Sequence, residues 1–127
     1  MQASGAGTGS PASRTTLIQQ ALQLAGQAAT ALNIRTVYAI VQHESTWNPR
    51  AINRTDSNAR AGHPSKGLMQ CIDSTFRAFA IAGHNRDIYD PLSNLIAGIR
   101  YAIDTYGSLQ RVPGVVTLAQ GKDYRGY

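Results

Sequence analysis

Apolar residues recur along most of this chain at helical spacing. Leu17, Ala21, Leu24, Ala28 and Leu32 share one stripe, which predicts a helix over residues 15–32 with Thr15 or Thr16 as its cap. Val37, Ile40 and Val41 follow i, i+3, i+4 spacing and predict a second helix over about 36–45. Asn48-Pro49 is a stop signal for it, because proline disfavours helix at the residue before it. From Thr46 to Lys66 the pattern disappears, and a loop of about 20 residues is predicted, a length usually tied to function or mobility. "GLMQCI" reads as a short strand, and "DSTFRAFAIAG" as a short helix capped by Asp73 and stopped at Gly83. The strongest pattern is "DPLSNLIAGIRYAIDTYG". Asp90 caps this helix, Pro91 takes its first turn, Gly107 ends it, and its stripe is Leu92, Leu95, Ile96, Ile99, Ile103 and Tyr106. There is no internal repeat and no domain boundary, so the expected fold is mainly α with at most a small β element.

Composition narrows the picture. A chain of 127 residues suits one domain burying about 68% of its unfolded surface. "MQASGAGTGSPASR" lacks the apolar core of a signal peptide, so residues 1–13 are read as a flexible linker ahead of a domain over 14–127. No stretch approaches the ~20 apolar residues of a membrane span, so no membrane insertion is expected. Cys71 is alone, which rules out an internal disulfide, and its apolar neighbours suggest a small buried side chain. The formal charge of +5 suits an anionic partner, a membrane surface or an acidic wall polymer included. The basic residues are scattered without aromatic interleaving, so nucleic acid is not expected.

One position breaks the apolar pattern. The slot that continues the Val37, Ile40, Val41 face is Glu44, although a core-facing carboxylate is costly. At a helix C-terminus it faces the negative end of the macrodipole, and partial burial also penalises its charge. Both effects are expected to hold its carboxyl above the usual carboxylate range. A carboxylic acid still protonated near neutral pH is what glycosidic cleavage needs, because the leaving oxygen must be protonated. The plain alternative is a helix-end glutamate that turns to solvent or pairs with Arg50. Other chemistries are weaker. His43, His63 and His84 lack metal-ligand spacing, His43-Glu44 lacks the rest of HExxH, and Ser45 has no GxSxG elbow. Neither metal nor cofactor is expected. Tyr89, Tyr124 and Tyr127 fall outside the main stripes and are candidates to line a sugar groove.

"HES" at a helix end, then "KGLMQCIDSTF", then "YDPLSNLIAGIRYAIDTYG", resembles the soluble lytic transglycosylases and the goose-type lysozymes that share their fold. The likeness runs from about residue 30 to 107, and its strength lies in the order of the elements. The wording "NPRAINRTDSNARAGHPSKGLMQ" and the closing "YRGY" resemble transglycosylase domains inside tape-measure proteins of actinobacterial phages.

The resemblance implies a lysozyme-like helical domain that cuts the β-1,4 bond between N-acetylmuramic acid and N-acetylglucosamine in peptidoglycan. Glu44 becomes the catalytic acid, and Ser45, Met69, Gln70, Asn94 and Tyr101 the substrate-facing residues, with Gly67 permitting close backbone approach. The family's Ala-Tyr-Asn after the long helix is missing here, and Tyr124 is the candidate to replace its tyrosine. As a transglycosylase the domain would use one carboxyl twice and leave a 1,6-anhydro end. As a hydrolytic lysozyme it would need a second carboxylate, for which Asp56 is the candidate, although the simpler reading of Asp56 is that it bonds its own loop backbone as in an Asx-turn; Asp73 is more simply a helix cap. A non-catalytic glycan-binding or structural module of a phage tail is the remaining alternative. The expected place of action is the bacterial cell wall, virion-associated or extracellular, as a monomeric isolated domain on peptidoglycan strands.

Overall fold

The computed structural model describes residues 9–126, so Tyr127 and most of the expected linker lie outside the described residues. Among the described residues the chain is mainly helical, with a small two-stranded sheet. In order it forms α1 (Pro11–Leu24), α2 (Ala31–Ser45), β1 (Ile52–Asn53), α3 (Ser57–Arg60), β2 (Ser65–Lys66), α4 (Asp73–Phe79) and α5 (Pro91–Tyr106). A 3-10 turn (Leu109–Arg111) and α6 (Pro113–Ala119) follow. Among the described residues no helix is long and apolar enough to cross a membrane.

The strongest sequence pattern became the centre of the fold. Asp90 caps α5 by accepting from the Ser93 N–H at 3.0 Å, Pro91 opens the helix, and Gly107 closes it in the left-handed conformation at φ 90°. Of the predicted stripe, Leu95, Ile96 and Ile99 are fully buried, while Leu92, Ile103 and Tyr106 pack at the edge of the core. Burial extends right round the helix, because Asn94, Ala97 and Gly98 are covered as well. Gly98 lacks a side chain where one would collide: a Cβ there would stand 2.7 Å from Sδ of Met69. α1 and α4 both pack on α5, and α2 lies against α1.

The expected first helix is two helices. α1 begins at Pro11, capped by Ser10, whose side chain accepts from the Ser13 N–H at 3.1 Å, and not at Thr15 or Thr16. Residues 11–13, expected in the linker, are its first turn. It ends because Gly26 turns left-handed at φ 80°, with Gln27 N–H donating to the Leu22 carbonyl and Gly26 N–H to that of Gln23, a Schellman closure. Ala28 and Leu32 keep the stripe's spacing only by coincidence. Leu32 belongs to α2, which starts at Ala31 under a Thr30 cap, and is 52% exposed.

The loop between α2 and α4 is folded where the sequence predicted irregular chain. β1 and β2 pair antiparallel, Ile52 opposite Lys66 and Asn53 opposite Ser65. "GLMQCI", expected as a strand, is mostly a turn from Gly67 to Gln70, after which Cys71 bridges back to Lys66. Gly67 at φ 80° and Gln70 at φ 56° turn the chain there. α4 also departs from expectation. Its N-cap position is Ile72, Asp73 is its first residue, and it stops at Phe79, well short of Gly83. Asp73 instead pairs with Lys66 at 3.1 Å, tying α4 to β2.

Candidate active site

Glu44 sits one residue from the end of α2, half-buried. Beyond it the backbone enters the left-handed region twice, at Thr46 (φ 49°) and Trp47 (φ 64°). Such a conformation is uncommon for a bulky residue and worst for a β-branched one, so it survives only where surroundings enforce it. Trp47 is the enforcement. Its ring is buried, 5.0 Å from that of Tyr38, with the Arg14 guanidinium 4.9 Å above it. This anchor breaks the helix sharply and leaves the carboxyl at the rim of an open groove.

The groove holds about 710 Å³ and runs between the end of α2 and the β1 segment, walled by Glu44, Ser45, Arg50, Asn53, Arg54 and Gln70 among others. Among the described residues, Glu44 is the carboxylate that lines it. The phenol of Tyr124 donates to Glu44 Oε2 at 2.8 Å. Burial holds the Tyr124 hydroxyl well above the usual tyrosine range, and the Glu44 charge and this hydrogen bond push the same way. Tyr124 therefore keeps its proton and acts as a donor. The charge of Glu44 is also felt at Tyr106 and Cys71. Burial is the main cause of the raised Tyr106 hydroxyl, and it pushes the Cys71 thiol up to about 12 with Glu44 adding to the rise.

The other residues singled out in the sequence divide into three groups. Gln70 and Ser45 reach the groove. Gln70 donates through Nε2 to the carbonyls of Gly67 at 2.9 Å and Ala51 at 3.3 Å, which fixes its side chain across the base of the hairpin. Ser45 is buried, and its hydroxyl donates to the Val41 carbonyl of its own helix at 3.2 Å. Tyr101 lines a second, smaller hollow of about 70 Å³ on the other side of Gln70, with Asn58, Ser65 and Thr75. Tyr89 lines a separate depression with Pro49 and Asp87.

Met69 and Asn94 are placed differently from expectation, while Asp56 bonds its own loop backbone, in line with its simpler reading. Met69 is fully buried under Gly98 and has no wall on the groove. Asn94 is fully buried too, and its amide is a staple: Oδ1 accepts from the Met69 N–H at 2.7 Å, while Nδ2 donates to the carbonyls of Ile88 at 2.8 Å and Lys66 at 3.0 Å. Gly67 is packed against that amide, since a Cβ there would come within 2.3 Å of Nδ2. Asp56 caps the short α3, accepting from the Ala59 N–H at 2.8 Å, and does not line the groove. Its own N–H is held by Asn53 Oδ1 at 3.2 Å. Among the described residues no group of three or more His, Cys, Asp or Glu side chains is placed to hold a metal ion.

Sequence reasoning missed His43 as more than a failed metal ligand. Its ring stacks on Tyr124 at 4.8 Å and 6° between planes. It also missed Arg50 and Arg54 as groove walls, and α6, whose Gly114 makes room for Tyr124. No periodicity could have revealed the His43 stack or the part played by α6, because Tyr124 reaches Glu44 through a fold-back of the C-terminal segment across 80 residues of sequence.

The arrangement can deliver one proton. A carboxyl on a rigid helix end, oriented by a phenol and open to a long groove, suits protonation of a leaving oxygen. The sequence signature of the transglycosylase SLT domain matches residues 22–119. Over 88 residues the chain is 52% identical to the uncharacterized protein YqbO of Bacillus subtilis (strain 168). That stretch is 69% of this chain but 6% of the relative. No solved structure matches. With the helix-end glutamate, the "GLMQ" turn and the α5 staple all inside the matched residues, this chain belongs to the transglycosylase SLT domain family, whose type of activity is the lytic cleavage of peptidoglycan.

Proposed function

We propose that the domain cleaves the β-1,4 bond between N-acetylmuramic acid and N-acetylglucosamine by lytic transglycosylation, with Glu44 as its single catalytic carboxyl. Protonated Glu44 gives its proton to the glycosidic oxygen as the C1–O bond breaks. The resulting carboxylate then takes the proton of the muramyl 6-hydroxyl. That oxygen closes on C1, leaving a 1,6-anhydro end, and Glu44 is protonated again with no water consumed. Gln70 and Ser45 form the groove wall beside the acid, and Tyr124 orients Oε2.

The observation that carries this reading is that, among the described residues lining the groove, Glu44 is the one carboxylate. An inverting hydrolase sets a second carboxylate roughly 6.5–9.5 Å from the acid to activate water. The candidate for that role, Asp56, is engaged in capping α3. A passive glycan-binding module would have no use for a half-buried phenol aimed at a carboxylate. The proposed place of action is the bacterial cell wall, with the domain carried in a longer protein of the phage tape-measure kind. Its 6% share of a much longer relative supports the modular part of that proposal.

Mass spectrometry of muropeptides released from purified cell wall tests the reaction. Anhydro-muropeptides, one water lighter than reducing-end products, are expected. Reducing ends without anhydro product would make the domain a hydrolase.

A further inference from the structure

His43 immediately precedes Glu44 on α2, and its imidazole lies flat against the Tyr124 ring, 4.8 Å between centroids and 6° between planes. Tyr124 arrives from the segment after α6, beyond the residues that the SLT signature matches. Its ring also meets the bare backbone of Gly114, where a Cβ would stand 2.2 Å from Cε1 and 2.4 Å from Cζ. The strap is pinned just past the ring, where the Arg125 N–H donates to Thr117 Oγ1 at 3.2 Å. A phenol turns about two side-chain torsions, so a hydroxyl at its tip moves ångströms for modest rotations. The 2.8 Å bond to Glu44 therefore needs the ring held from the side. α2 supplies that hold next to the acid itself, so acid and clamp move with one helix.

We propose that His43 is a positioning residue for the acid, stacking on Tyr124 to fix the phenol whose hydroxyl holds Glu44 Oε2. The proposal rests on the reading of Glu44 as the catalytic acid. It assigns the imidazole a flat surface and no proton to transfer. The groups that share this space leave a clear window for observing it. Burial holds the hydroxyls of Tyr106 and Tyr124 and the thiol of Cys71 above their ordinary ranges, so these three neighbours stay neutral where the acid works.

The test compares His43→Ala, His43→Phe, Tyr124→Phe and the double variant His43→Ala/Tyr124→Phe. The rate is read as total glycosidic bonds cut, so it does not depend on which end product forms. His43→Ala is expected to lower kcat between about two- and ten-fold, the range for an aromatic pair, with KM nearly unchanged. It should also move the alkaline fall in activity to higher pH. Loss of a donor to the carboxylate raises the pKa of Glu44, so the acid form persists further into alkali. Tyr124→Phe should move that fall the same way, and the double variant should be no worse than Tyr124→Phe alone. His43→Phe keeps a flat ring and should restore both kcat and the pH profile. Gly114→Ala, a change that favours the helix, should expel the ring and behave like Tyr124→Phe. The stack itself is read by NMR, where Tyr124→Leu should shift the His43 ring protons. A wild-type kcat and pH profile in His43→Ala, with Glu44→Gln inactive, would overturn the positioning role alone. So would a His43→Phe variant as impaired as His43→Ala. A Glu44→Gln variant with wild-type rate would instead remove the acid on which the proposal stands.

Discussion

Asn94 and Glu44 are two polar side chains on core-packing helices, and both lie within the residues that the family signature matches. Asn94 on α5 is sealed from solvent, with three hydrogen bonds to backbone groups of Lys66, Ile88 and Met69. Glu44 on α2 stands at a helix end beside a groove, where the Tyr124 phenol, brought from the C-terminal segment, donates to it. The first arrangement satisfies a polar group so that it can be buried, as folding requires. The second leaves a charge-bearing group open to a ligand. Family motifs therefore mix two kinds of residue, and only burial and bonding separate them. Asn94 holds the "GLMQ" turn to α5, and the groove wall formed by Gln70 depends on that hold.

Exchanging the two carboxamide and carboxyl roles should expose the contrast most strongly. Glu44→Gln is expected to fold with an unchanged thermal midpoint and to lose on the order of 10²–10⁴-fold in wall cleavage, since an amide donates no proton to the leaving oxygen. Retention of more than about a tenth of the activity would break the assignment of Glu44 as acid.

Asn94→Ala should show the reverse pattern. It strands the buried Met69 N–H and the Ile88 carbonyl, at about 1–3 kcal/mol for each group left unsatisfied, while the Lys66 carbonyl still accepts from the Cys71 N–H at 2.9 Å. Urea unfolding is expected to reveal a loss of about 3 kcal/mol, with the activity per folded molecule within a few-fold of wild type. A fully stable Asn94→Ala with no activity would move Asn94 from staple to substrate contact.

Gln70 lies between these extremes, bonded to backbone yet facing the groove. Gln70→Ala should weaken binding and rate by about 0.5–1.5 kcal/mol and leave the fold intact, measurable as a combined change in kcat and KM. Kinetics identical to wild type would take Gln70 out of the site. Asp56→Asn is the mildest change, because asparagine caps a helix nearly as well as aspartate. Most activity and the anhydro product should persist. Loss of turnover in a folded Asp56→Asn would instead point to a two-carboxylate lysozyme.

Alkali offers a pH test of the buried groups around the site. Cys71 and Tyr124 have raised pKa values in the folded protein, Cys71 at about 12. Above about pH 9–10 the unfolded chain loses these protons first and so binds fewer than the native state, which makes stability fall as pH rises. The urea midpoint should be lower at pH 10.5 than at pH 8, and the fall should be shallower in Cys71→Ala. An unchanged midpoint would contradict burial of the thiol.

The sequence by itself determined α5 almost completely. Its cap, its proline, its closing glycine and its stripe are local signals, and local signals survive into any compact fold. It also determined that Glu44 ends an apolar helix face, which is a statement about spacing within one helix. It misjudged the end of α1, where Gly26 in the left-handed conformation overrode a stripe that ran on past it. It read the segment 46–66 as irregular, because strands of two residues carry no periodicity to detect. Tertiary structure alone decided what each motif residue does. Whether Asn94 and Met69 face core or groove depends on α5 being covered on all sides. Whether Asp56 is a base or a cap depends on where α3 closes. Whether Glu44 has a phenol beside it depends on a C-terminal fold-back onto Gly114 and His43. Each of these is a contact between residues distant in the chain, where spacing along the sequence carries no information about distance in space.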